Sequence, residues 1–106
     1  MGRLHLRREF ERVRREGRTV RSGPLSVRYV EDAAAVPPRV AFAIPRKVGT
    51  AVIRNRVRRR LRALVRERDL VPGLYLVRVA PAAAGLDAAA LRAHLERTTV
   101  DASAGR

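Results

Sequence analysis

Residues 46–62 read Arg-Lys-Val-Gly-Thr-Ala-Val-Ile-Arg-Asn-Arg-Val-Arg-Arg-Arg-Leu-Arg, and their types and spacing suit phosphate chemistry. Arginine presents a planar fork of donors that fits a phosphate and can stack on a base. With Thr50 as cap, residues 51–68 read as a helix. The helix N-terminus would offer unpaired backbone N–H groups to an anion, with Arg46 and Lys47 beside it. On a 3.6-residue wheel Ile53, Val57, Leu61 and Leu64 share one face. Asn55, Arg58, Arg59, Arg62 and Arg66 share the opposite face, and Arg54, Arg56 and Arg60 flank the apolar stripe. Like charges four residues apart repel. Glu67 is the only acid in this stretch, so a bound polyanion would relieve that repulsion. A face kept merely soluble would mix its signs.

The residues of a protein catalyst do not assemble in the same way. His5 and His94 are the only histidines and there is no cysteine. His94 has no ligand-type partner at i+4. Glu31 and Asp32 are adjacent in a loop, which suits solvation better than two-carboxylate chemistry. No Gly-rich phosphate loop with its Lys-Ser/Thr follows a strand, and no Ser/His/Asp set is identifiable. The expectation is no catalytic residue, no metal site and no cofactor bound by the protein itself.

The 106 residues hold 24 Lys plus Arg against 10 Asp plus Glu, a formal net charge of +14. Such an excess points to nucleic acid before anionic membrane. Codon bias could favour Arg over Lys (Lys47 is the only lysine), but not cations over anions. A hydrophobic share of 46% is a folding composition, and the length suits one domain with one modest core. The absence of cysteine excludes disulfides and thiolate-held metals. No uncharged run approaches a membrane span, and the basic start lacks the apolar stretch of a signal peptide. A soluble cytoplasmic protein is expected.

The elements that must position the basic helix are legible in outline. Leu6, Phe10 and Val13 fall on one face of a helix over 6–16, stopped by Gly17. A short strand at 19–21 precedes a strand at 25–30, where Leu25, Val27 and Tyr29 alternate with Ser26, Arg28 and Val30. A further strand spans 39–44 and ends at Pro45. After Pro72-Gly73 another covers 74–80. Asp87 caps a last helix over 88–98 that is expected to bury Ala88, Leu91 and Leu95. The ordered core is expected over 4–98 and the tail 99–106 to fray. The fold class is α+β, a two-layer sandwich of helices on a small sheet in the order helix, two or three strands, helix, strand, helix.

At Arg46-Lys47, Gly49, Ala51-Val52, Arg54-Asn55-Arg56, Arg58-Arg59 and Arg62 the chain resembles the Arg-Asn-Arg signature of the bacterial ribonuclease P protein component. Looser similarity runs over 4–98, with Glu9-Phe10 like an acidic-Phe pair in the family's first helix. The resemblance implies an αβββαβα, ribosomal-protein-like sandwich with a left-handed βαβ crossover. It implies that Arg46, Lys47, Arg54, Asn55, Arg56, Arg58, Arg59 and Arg62 face the catalytic RNA. It further implies a cleft between the first helix and the sheet that takes the 5′ leader of precursor tRNA, and Mg²⁺ held by the RNA of the holoenzyme. In this chain Phe10 matches the cleft's first aromatic. Arg14 and Arg28 stand where the family has further aromatics, so the leader would meet one ring and two guanidinium groups.

The expected partners are therefore ribonuclease P RNA and precursor tRNA, with no membrane and a monomeric protein. The alternatives are a ribosomal-type structural RNA-binding protein and a DNA-binding regulator. The second needs a helix-turn-helix partner, which the strand and Gly turn before Arg54 argue against.

Overall fold

Alternation along the strands decides which side of the sheet each residue serves. The computed structural model describes residues 1–4 and 6–99; the expectations for His5 and for the tail beyond Thr99 lie outside them. The elements are β1 (Gly2–Arg3), α1 (Arg7–Glu16), β2 (Arg18–Ser22), β3 (Leu25–Glu31), β4 (Arg39–Ala43), α2 (Ala51–Arg66), β5 (Gly73–Val79) and α3 (Ala88–Thr98). Single 3-10 turns occupy Arg46–Val48 and Pro81–Gly85. The five strands lie in the order β1-β4-β5-β3-β2. β4 and β5 are parallel neighbours joined through α2, whereas β2–β3 and β3–β5 are antiparallel. This is the expected α+β order with one short strand added in front.

One face of the sheet turns Leu25, Val27, Val40, Tyr75, Val77 and Val79 onto Val57, Leu61, Leu64 and Val65 of α2 and Leu91 and Leu95 of α3. The other face turns Val30, Ala41, Leu74 and Leu76 toward Phe10 and Val13 of α1, with Leu4 and Ala35 closing the cluster. Arg28 alternates with Val27 and so points to the α1 side, as its position in the strand predicts. Tyr75 stacks on Tyr29 with ring centroids 5.8 Å apart, and its hydroxyl donates to the Val71 carbonyl. Burial, with smaller effects from Glu31 and Tyr29, pushes the Tyr75 phenol up to about 12. It therefore stays protonated and keeps its bond.

Two sequence expectations need correction. Ala88 is exposed, not buried. Leu86, just before α3, packs on the core there, and the seam of the helix begins at Leu91 and runs through Leu95 to Thr98. The first residues are also ordered as a strand: Gly2 N–H donates to Pro38 O (2.7 Å) and Leu4 N–H to Val40 O (3.2 Å). β1 pairs only with Arg39 and Val40. The outer side of β4 beyond Val40 has no strand against it among the described residues.

α1 is locked to the sheet at both ends. Near its start the buried carboxylate of Glu9 accepts from Leu6 N–H at 3.3 Å and from the Arg39 guanidinium. At its end Gly17 comes so close to β3 that a Cβ there would lie 2.3 Å from Val13 O and 2.8 Å from Arg28 Cγ. Glycine at this point is a matter of space, since its backbone is extended. Midway, Arg12 donates to Asp32 at 2.6 Å. That bond, then the Ala34 N–H, holds the Asp32 carboxyl below its usual range.

Two outcomes follow. Leu61 is 0% exposed, so Leu61→Ala should cost about 3 kcal/mol in urea unfolding, the transfer and cavity cost of a buried leucine. Asp32 is depressed in the folded state, so its contribution is present above its unfolded pKa and lost as pH falls through the folded one. The difference in urea midpoint between the native chain and Asp32→Asn should be constant above about pH 5 and close toward about pH 3. A gap that widens on acidification would contradict the pairing.

Candidate nucleic-acid interface

The packing of α2 sorts its arginines. Val57, Leu61, Leu64 and Val65 point into the core, so Arg54, Arg58, Arg62 and Arg66 form a stripe at four-residue intervals along one flank. Thr50 Oγ1 caps the helix by accepting from Ile53 N–H at 3.3 Å. Arg58, Arg62 and Arg66 line a groove of about 650 Å³ whose other walls include Leu4, Phe10 and Phe42. Arg58 is half-buried there, closer to the sheet than the sequence wheel put it. Arg54 Nε is buried and has no hydrogen-bond partner among the described residues. A buried unpaired donor is costly, and a bound anion would satisfy it. Asn55, Arg56 and Arg59 stand exposed beyond the stripe, with Asn55 Oδ1 accepting from Arg58 Nη1 at 3.3 Å.

Other arginines serve the fold. Arg60 Nη1 donates to Leu86 O at 3.2 Å. Arg68 donates to Thr99 O at 3.1 Å and to Thr99 Oγ1 at 3.2 Å. Arg28 donates through Nε to Val13 O (2.8 Å), through Nη2 to Arg14 O (2.7 Å) and through Nη1 to Thr19 Oγ1 (2.9 Å). Its guanidinium thus caps the C-terminal end of α1.

The residues expected to line a single cleft fall into two separate hollows. Phe10 belongs to the groove along α2. Arg14 and Arg28 share a hollow with Arg21, Ser26 and Arg78 on the α1 side of the sheet. Arg46 and Lys47 are exposed in the 3-10 turn after β4, and Lys47 borders a third hollow with Arg21, Arg78, Ile44 and Pro45. Sequence reasoning did not single out Arg21 or Arg78 as site residues. Their alternation with Val20 and with Val77 and Val79 could have placed them on the α1 side.

His94 shows what a lone histidine does here. Its Nδ1 lies 2.8 Å from Ser22 Oγ and its ring covers Gly23, whose φ is +53°. It latches the β2–β3 turn to α3. No group of three or more His, Cys, Asp or Glu that could hold a metal occurs among the described residues. No described helix is long and apolar enough to cross a membrane.

An α+β sheet with an acid-free arginine stripe beside an open groove defines a polyanion-binding protein, with RNA the partner of its class. A family model, ribonuclease P, matches residues 2–102, and the chain belongs to that family. It is 44% identical over 86 residues to the ribonuclease P protein component of Beutenbergia cavernae, covering 78% of this chain and 72% of the relative. To that of Thermobifida fusca it is 40% identical over 104 residues, covering 89% and 71%. In fold it is similar to the Staphylococcus aureus RNase P protein, with a TM-score of 0.81 at 20% identity over 92% of both chains. The resemblance carried by residues 46–62 is borne out, and with it the role of ribonuclease P protein subunit.

The sorting of arginines predicts a clean separation. Arg60→Ala should lower the melting temperature, by loss of about 1 kcal/mol for its hydrogen bond. Arg62→Ala should leave melting unchanged and instead reduce the salt slope of RNA binding by about one counterion. Circular dichroism melts and a salt series of binding isotherms would read both.

Proposed function

We propose that the α2 stripe, with Asn55, Arg56, Arg59, Arg46 and Lys47 around it, holds the catalytic RNA of ribonuclease P. The α1 side of the sheet, with Phe10, Arg14 and Arg28, receives the 5′ leader of precursor tRNA. The observation that carries this reading is the stripe itself: cations at one-turn intervals, no acid between them, and a buried Arg54 Nε left unpaired. The protein's part is to bind and orient. It neutralises phosphates where RNA strands converge and keeps the leader extended away from the mature tRNA. The chain brings together no set of carboxylate or imidazole ligands among its described residues, so its donors do not fit a resident Mg²⁺. We assign that ion to the RNA, together with the cleavage of the phosphodiester between leader and tRNA. The protein alone is proposed to be inactive, monomeric without RNA and resident in the cytoplasm. The ribosomal-type alternative is not favoured, since the chain's relatives are ribonuclease P protein components.

The test is reconstitution. Purified chain added to its ribonuclease P RNA at low Mg²⁺ should restore leader release, and the chain without RNA should release none with any divalent ion. Mg²⁺-dependent turnover by RNA-free protein, or RNA cleavage indifferent to the chain, would refute the assignment.

A further inference from the structure

On the α1 side of the sheet, Arg21 of β2, Ser26 of β3 and Arg78 of β5 stand in one cross-strand row, since Arg21 pairs with Ser26 and Ser26 with Arg78. Strands lie about 4.8 Å apart, so the two arginines start roughly 10 Å from each other with the serine between them. Arg14 hangs over the same place from the end of α1. With Thr19 and Arg28 these residues enclose a hollow of about 270 Å³. No acid lines it, and Arg14, Arg21 and Arg78 are exposed. No ion pair engages any of the three among the described residues. Like charges converging on a hydroxyl, unrelieved by a carboxylate, are complementary to a small anion.

The hollow also lacks a ring. Phe10 lies in the groove along α2, while Tyr29, Tyr75 and Phe42 pack on the opposite face. Base stacking on an aromatic, the usual sequence-tolerant grip on single strands, is unavailable here. The position of Arg28 is built in. Its three bonds end on α1 and β2, and Gly17 leaves the space its stem passes through.

We propose that this hollow seats one backbone phosphate of the single-stranded leader, gripped by Arg14, Arg21 and Arg78 around the Ser26 hydroxyl, and so reads charge and not base identity. Arg28 is the positioning residue: it fixes the end of α1 so that Arg14 faces Arg21 and Arg78, and its own charge forms a rigid positive wall. The proposal rests on the reading that the α1 side receives the leader.

The experiment uses the reconstituted holoenzyme and three kinds of precursor tRNA: an unmodified leader, a leader of abasic residues, and leaders with one neutral methylphosphonate moved along the strand. The abasic leader should bind within about twofold of the unmodified one, and one methylphosphonate position should weaken binding roughly tenfold, the scale of a lost charge-assisted contact. Arg21→Ala and Arg78→Ala should each weaken the unmodified leader and abolish the penalty at that position. Arg28→Tyr, which swaps the fork for a ring, should make the abasic leader bind worse than the unmodified one, an effect no general loosening of the fold produces. If that variant does not melt cooperatively, the Arg21 and Arg78 variants decide. An abasic penalty exceeding every methylphosphonate penalty would overturn the proposal, as would a methylphosphonate penalty unchanged in both alanine variants. If the unmodified precursor binds no tighter than mature tRNA, the leader reading fails. The seat is then judged on the free chain with an abasic oligonucleotide, whose salt slope should fall by about 0.7 in Arg78→Ala; an unchanged slope would overturn the seat as well.

Discussion

Twenty-four cationic side chains on 106 residues repel one another, and a fold this small must either separate them or pair them. With ten acids, carboxylates cannot do the pairing alone. Most of the acids that pair stand around α1, Glu9 with Arg39, Asp32 and Glu16 with Arg12, and Glu11 with Arg7, while Glu67 after α2 pairs with Arg92 of α3. The Arg7–Glu11 and Arg12–Glu16 pairs are exposed and individually worth little, whereas Glu9–Arg39 and Arg12–Asp32 are partly buried. Their placement matters more than their strength, because among the described residues it leaves the arginine stripe of α2 and the three exposed arginines of the hollow under α1 without an ion pair.

Backbone carbonyls take up a second share of the cations. Arg28 ends on the last carbonyls of α1, Arg68 on Thr99 at the end of α3, and Arg60 on Leu86 O. Helix C-termini carry partial negative charge and unpaired acceptors, so Arg28 at the end of α1 and Arg68 at the end of α3 gain both a hydrogen bond and a favourable field. These bonds also tie separate elements together, α1 to β3 and α2 to the turn before α3. Among the arginines outside both groups, Arg58, Arg62 and Arg66 line the groove along α2 and Arg14, Arg21 and Arg78 line the hollow under α1. Which arginines the fold itself holds is therefore set in part by which backbone ends come within reach.

That division explains what the sequence could and could not disclose. The α2 pattern was legible because helical periodicity places Val57, Leu61 and Leu64 inside and thereby fixes every other side chain on the helix. The strand alternation put Arg28 on the correct side of the sheet for the same reason. What Arg28 touches depends on where α1 ends relative to β3, a long-range geometry with no local signature. β1 is two residues long and carries no alternation to detect, and the exposure of Ala88 follows from Leu86 covering the core before the helix begins. The single cleft expected for Phe10, Arg14 and Arg28 divides, Phe10 lining the groove along α2 and the two arginines lining the hollow with Arg21 and Arg78.

The short reach of β1 leaves the outer rim of β4 beyond Val40 without a strand against it among the described residues. A strand rim of this kind is a template on which another chain can add itself and begin an ordered aggregate. Here the approach passes Arg58 and Arg62, which line the groove beside Phe42, and a second copy would bring the same cations with it. The charge that attracts RNA thus also acts as a guard against self-assembly. That guard weakens at high ionic strength, where the arginines are screened.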